Sequence, residues 1–123
     1  MIKDILIVGS GSALGGIARF LIGKLVMTFF PYSFPMATFL INIAGSFLIG
    51  LAYAMSGKSG SMSPASLIFL ATGFLGGFTT FSSFSYENML LMRNGQYFLA
   101  LTYIFGTILL GLLATFTGYA IAK

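Results

Sequence analysis

Four apolar runs, each of roughly twenty residues or more, divide this chain, and that pattern leaves few folds open. A helix rising ~1.5 Å per residue needs roughly 20 apolar residues to cross a ~30 Å hydrocarbon layer. The runs extend from about Ile5 to Phe30, Met36 to Met55, Pro64 to Met92 and Tyr97 to Ala122. The reading is an all-α integral membrane protein, with residues 1–123 forming one transmembrane domain of four helices. Composition agrees: 58% of the side chains are hydrophobic, 7% are charged and the mean hydropathy is +1.01, far outside the soluble range. With no cysteine and no histidine, disulfides, thiolate or imidazole metal sites and the commonest general base are all missing. An enzyme is therefore not expected, since one carboxylate near a membrane end cannot form an acid–base pair.

Local signals mark the boundaries. The N-terminal MIKDILIVG has no cleavage-like site before the next apolar segment, so it reads as a retained helix with no signal peptide. Gly9, Gly11, Gly15, Gly16 and Gly23 in the first helix suggest a surface packed closely on a neighbour. Pro31 and Pro35 bracket the first turn, and SGKSGSMSP at 56–64 is the one clearly polar loop. Ser63-Pro64 supplies an N-cap followed by proline at the first helical position. Arg93-Asn94-Gly95 closes the third helix, with Gly95 suited to a left-handed cap.

The net charge of +4 is scattered over the ends of the runs, where basic side chains meet lipid headgroups. It forms no stripe, so a nucleic-acid partner is not expected. With four crossings, Lys3, Lys58 and Lys123 share one side, and Lys24 and Arg93 the other, with Arg19 further in. So small a bias under the positive-inside rule fits insertion in both orientations and an antiparallel homodimer. Chance balance, or orientation by one dominant residue, is the other reading.

Residues 73–87, GFLGGFTTFSSFSYE, carry the chemistry. Gly73, Gly76 and Gly77, followed by Thr79 and Thr80, invite a break near the middle of the third helix. Freed carbonyls beside threonine hydroxyls can hold a dehydrated cation, whereas half-helix N-termini favour anions; plain packing through small residues is the alternative. If the helix is continuous, Phe74, Phe78, Phe81 and Phe84 share one face within roughly a 120° arc. Thr79, Ser82 and Ser83 run beside or opposite that stripe, and the pairing suggests a pathway wall. Phenyl edges are positive, and hydroxyls and amides donate to a small hard anion without trapping it. Asn42, buried in FLINIAGSF, must face that path or bond a neighbouring helix. Tyr103 and Thr107 lie one turn apart on the fourth helix. Glu87 fits a pore mouth or an interfacial salt bridge, and Arg19 could be its partner or reach for the headgroups.

Asn42, GGFTTFSSFSYE and the tyrosine with Gly106-Thr107 together resemble the Fluc (CrcB) fluoride channels over essentially the whole chain. The resemblance implies a dual-topology antiparallel homodimer with two pores that exports fluoride passively across the bacterial inner or plasma membrane. It implies Phe81 and Phe84 as the pore-lining aromatic pair, Asn42 as a pore donor and Ser82 and Ser83 as a polar track. Tyr103 and Thr107 match fourth-helix pore positions; the family often has serine at Thr107, and Gly111 stands where a further hydroxyl is expected. The backbone carbonyls of Gly76 and Thr79, from two subunits, would enclose a structural sodium ion (Na+). Arg19 resembles the family's first-helix arginine, with a structural or vestibule role. The second reading is a proton-coupled exporter like the small multidrug-resistance transporters. That carrier needs a deep carboxylate, typically in the first helix, which here has only Asp4 at its end; Glu87 would have to substitute.

Overall fold

The computed structural model describes residues 1–30, 34–58 and 61–123. Four helical spans are long and apolar enough to cross a membrane: Ile2–Phe29, Met36–Ser56, Pro64–Arg93 and Tyr97–Ala122. Among the described residues there is no strand. Pro31 of the first turn, and Ser59 and Gly60 of the polar loop, lie outside the described residues. Pro35 stands at the N-cap of the second helix. The Ser63 hydroxyl accepts the Ser66 amide at 3.1 Å, with Pro64 opening the third span behind it. At the far end of that span Gly95 takes φ 77°, a left-handed conformation that costs glycine nothing, and the Gln96 amide returns to the Leu91 carbonyl at 2.8 Å.

The spans pack in two pairs, first against third and second against fourth. Lipid gives apolar side chains no reason to associate, so close approach through small residues and buried hydrogen bonds must supply the attraction. In the first pair, a Cβ on Gly11 would stand 2.6 Å from the Phe69 carbonyl oxygen and 3.0 Å from the Gly73 Cα, and one on Gly15 would overlap the Phe74 carbonyl. Of the five first-helix glycines, Gly11 and Gly15 are thus in tight backbone contact, while Gly9, Gly16 and Gly23 have open space where a side chain would project. Facing them, Ile68–Leu75 is wound as a π-helix, a wider coil that recurs at functional sites. In the second pair, Cβ atoms on Gly50 and Gly118 would overlap the carbonyls of Thr115 and Phe47, and the Thr115 hydroxyl donates to the Ser46 carbonyl at 3.0 Å.

The third span departs from helical geometry at two residues. After the short turn Gly76–Phe78, the backbone of Thr79 (φ −84°, ψ 157°) and Thr80 (φ −151°, ψ 126°) is extended, and the helix resumes over Phe81–Arg93. The single face that a continuous helix would give to four phenylalanines is therefore divided. Phe74 and Phe78 stack at 5.7 Å, with Phe78 buried against Ile41 and Leu75. Phe81 and Phe84 form a second pair, 5.8 Å apart and tilted by 42°.

Candidate functional site

Two extended residues inside an apolar span leave backbone groups that lipid cannot satisfy. Asn42, from the second helix, meets this need at Thr80 from both sides: its Nδ2 donates to the Thr80 carbonyl at 3.0 Å, and its Oδ1 accepts the Thr80 amide at 2.9 Å. In an unbroken helix the Thr80 amide would go to the carbonyl of Gly76, four residues earlier. Likewise the Ser83 amide, which would serve the Thr79 carbonyl, turns to the Thr80 side-chain oxygen at 3.3 Å as an N-cap bond. The oxygens of Gly76 and Thr79 thus lose their usual helical donors. From the first helix, Arg19 Nε donates to the Gly77 carbonyl at 3.2 Å and the Ser12 hydroxyl to the Gly73 carbonyl at 3.3 Å. Arg19 is accordingly a clasp on the interrupted segment, and the pairing of Arg19 with Glu87 that the sequence left open does not occur.

Beside the interruption lies a cavity of about 420 Å³, whose wall includes Asn42, Gly76, Thr79, Phe81, Phe84 and Thr107. Six of the residues singled out from sequence therefore come together across three spans. Phe81 is 76% exposed, so the cavity is open along this ring. Thr107 supplies the most telling atom. Hydroxyls in apolar helices usually bond the carbonyl a turn back, as Thr117 does to Leu113 at 2.7 Å. The Thr107 hydroxyl is buried and has no partner.

Ser82 and Ser83 are not part of this wall. Their hydroxyls lie 3.2 and 3.4 Å from that of Thr80, because all three share the N-terminal turn where the helix restarts. Where Gly111 lacks a side chain, a Cβ would stand 3.6 Å from the Ser46 hydroxyl, so a second-helix hydroxyl adjoins that place. Ser46 and Thr80 also line the cavity; Ser46 is not among the sequence expectations, and Thr80 enters them only as part of the helix break. The available signal was spacing: Thr38, Asn42 and Ser46 recur every four residues, a polar stripe on one face of an apolar helix.

Glu87 and Tyr103 form a separate group behind the cavity. The Tyr103 hydroxyl donates to Glu87 Oε1 at 2.8 Å, and the Thr38 hydroxyl donates to Glu87 Oε2 at 2.8 Å. Tyr103 is fully buried and meets the Phe84 ring edge-on, with centroids 4.9 Å apart and planes at 64°.

A family model described as CrcB-like protein, Camphor Resistance (CrcB), matches residues 6–119. The chain belongs to the CrcB family. Among its relatives, a protein named fluoride-specific ion channel FluC from Gloeothece citriformis (strain PCC 7424) is 45% identical over 120 residues, covering 98% of this chain and 97% of that one. A FluC of the same description from Campylobacter jejuni subsp. jejuni serotype O:2 (strain ATCC 700819 / NCTC 11168) is 43% identical over 123 residues and 100% of both chains. A third, from Flavobacterium psychrophilum (strain ATCC 49511 / DSM 21280 / CIP 103535 / JIP02/86), is 43% identical over 121 residues and 98% of both. The CrcB match takes in the interrupted third span, Asn42 and the fourth-helix hydroxyl, so the cavity lies wholly inside the shared region.

Proposed function

We infer that this CrcB-family chain is a fluoride-selective channel, a multi-pass protein of the bacterial inner or plasma membrane that exports fluoride passively and so lowers its concentration and toxicity inside the cell. It transports and does not catalyse. The observation that carries the reading is a single cavity whose wall brings together Asn42, Phe81, Phe84 and Thr107, a residue whose hydroxyl is buried without a partner. A hydroxyl, an amide hydrogen and positive ring edges each attract a small hard anion. None of the lining groups is an ammonium or guanidinium, so the anion is held weakly enough to leave. Ser82 and Ser83 extend the hydroxyl supply around Thr80, and Tyr103 backs Phe84.

The working unit in this reading is an antiparallel homodimer inserted in both orientations, in contact with membrane lipid. The exposed Phe81 ring, the open cavity and the balanced charges at the two ends support it. Inverted copies would place two interrupted spans side by side. Gly76 and Thr79, whose carbonyls have lost their helical donors, fit a hard monovalent cation, and these four oxygens of two chains would hold a sodium ion. Such an ion would supply a fixed charge and a cross-link between subunits. In this reading the cation is held by backbone carbonyl oxygen, a hard donor suited to a hard cation. The carboxylate required by a proton-coupled exporter is absent from the middle of the first helix, where Asp4 lies in the first turn.

Thr107→Val tests the carrying observation, because it removes the hydroxyl and keeps the shape. A hydrogen bond to a charged group is worth about 1.5–3 kcal/mol, so fluoride flux through reconstituted protein should fall by about tenfold or more. Unchanged flux would remove Thr107 from the pathway.

A further inference from the structure

We propose that Glu87, anchored by Thr38, is a positioning residue that fixes the Phe84 ring of the anion cavity by holding Tyr103. The proposal deepens the channel reading and rests on it. A carboxylate beside an anion path is electrostatically unfavourable for the anion, so its presence calls for a different task. Its partners define that task. Both oxygens are engaged, Oε2 by the Thr38 hydroxyl and Oε1 by the Tyr103 hydroxyl, each at 2.8 Å. A carboxylate can only accept, and a hydroxyl has one hydrogen to give, so the hydrogens of Thr38 and Tyr103 are both committed to Glu87. Tyr103 therefore has no hydrogen left for fluoride, and it is absent from the cavity wall.

What Tyr103 offers the cavity is its ring. It stands edge-on to Phe84 at 4.9 Å and edge-on to Phe34 at 5.2 Å on another side, and it is fully buried. Phe84 borders the open cavity with Phe81 beside it, and the side-chain torsion that turns a phenyl ring is broad when nothing holds it. Ring orientation decides the chemistry, because the edge attracts an anion and the face repels one. The hydrogen bond from Tyr103 to Glu87 stops the backing ring from sliding, and Thr38 fixes the carboxylate in turn. Three spans thus meet in one relay, Thr38 from the second, Glu87 and Phe84 from the third and Tyr103 from the fourth. Glu87 itself borders a different, smaller cavity of about 140 Å³ beside Phe30 and Pro35.

The test is a double-variant cycle on fluoride efflux from liposomes. Glu87→Ala and Tyr103→Phe should each lower flux by about fivefold, and the double variant by the same factor, because both break one relay. Glu87→Gln should stay within about twofold of the parent, since the carboxamide oxygen still accepts from Tyr103 and its nitrogen can donate to Thr38. If Glu87→Ala does not assemble, Thr38→Val with Tyr103→Phe carries the same expectation, the double being no worse than the more severe single. Losses that multiply in the double variant would overturn the relay, as would a Glu87→Gln variant behaving like Glu87→Ala. A parent that passes no fluoride would end the channel reading itself, whereas a conducting parent with independent losses would end only the relay.

Discussion

Replacing Asn42 by alanine probes the feature on which the site most depends, the two-point clasp on Thr80. The substitution deletes one donor and one acceptor at once, leaving the Thr80 amide and carbonyl without the partners they have at 2.9 and 3.0 Å. Side-chain hydrogen bonds in membrane proteins are worth about 0.6 kcal/mol on average and up to about 1.7 kcal/mol. Two such bonds place the loss at about 1 to 3 kcal/mol. It should exceed that of a single-bond deletion in the same region, such as Ser12→Ala, which frees only the Gly73 carbonyl. The measurement is reversible unfolding of both variants in the same detergent, with fluoride flux recorded in parallel. Without the clasp, the Thr80 amide can return to the Gly76 carbonyl and the extended residues can wind into helix, so flux should fall together with stability. An Asn42→Ala variant no less stable than Ser12→Ala, with normal flux, would refute the argument that Asn42 maintains the extended backbone.

Two further expectations follow from the cavity and the packing. Phe81→Ile and Phe84→Ile should each cut fluoride flux by about tenfold while the oligomer stays intact on size exclusion, since an aromatic edge interaction of up to about 1.5 kcal/mol is lost; full flux in both would remove the rings from the mechanism. Gly15→Ala should destabilise the fold by about 1–3 kcal/mol, because its methyl would overlap the Phe74 carbonyl and lie 3.0 Å from the Phe78 amide nitrogen. Gly23→Ala, with nothing within 4 Å, should be neutral or slightly stabilising in the same unfolding assay.

The four spans are legible in the sequence because hydropathy over twenty residues is a bulk property that no single contact can overrule. Partner choice is less legible, for a physical reason. The acceptors and donors that Arg19, Asn42 and Ser12 find are backbone atoms of the third span, and a backbone atom has no residue type to betray it. Glu87 illustrates the same limit: a basic partner is the natural guess for a lone carboxylate, yet two hydroxyls from neighbouring spans take both oxygens. The aromatic stripe depended on helix continuity, and two extended residues suffice to send Phe78 into the core and Phe81 to the surface. Ser82 and Ser83 look like a track when placed on a regular helix, but as residues of a first turn they join the capping hydroxyl of Thr80. The stripe of Thr38, Asn42 and Ser46 was the signal within reach, since polar residues at a four-residue spacing in an apolar helix must face protein or water.

Anion efflux from liposomes bearing the purified protein tests the central claim most directly. With internal potassium fluoride or potassium chloride, valinomycin to balance charge and no proton gradient, the account predicts rapid discharge of fluoride and retention of chloride. Comparable rates for the two anions, or fluoride discharge that appears only when a pH gradient is imposed, would contradict it.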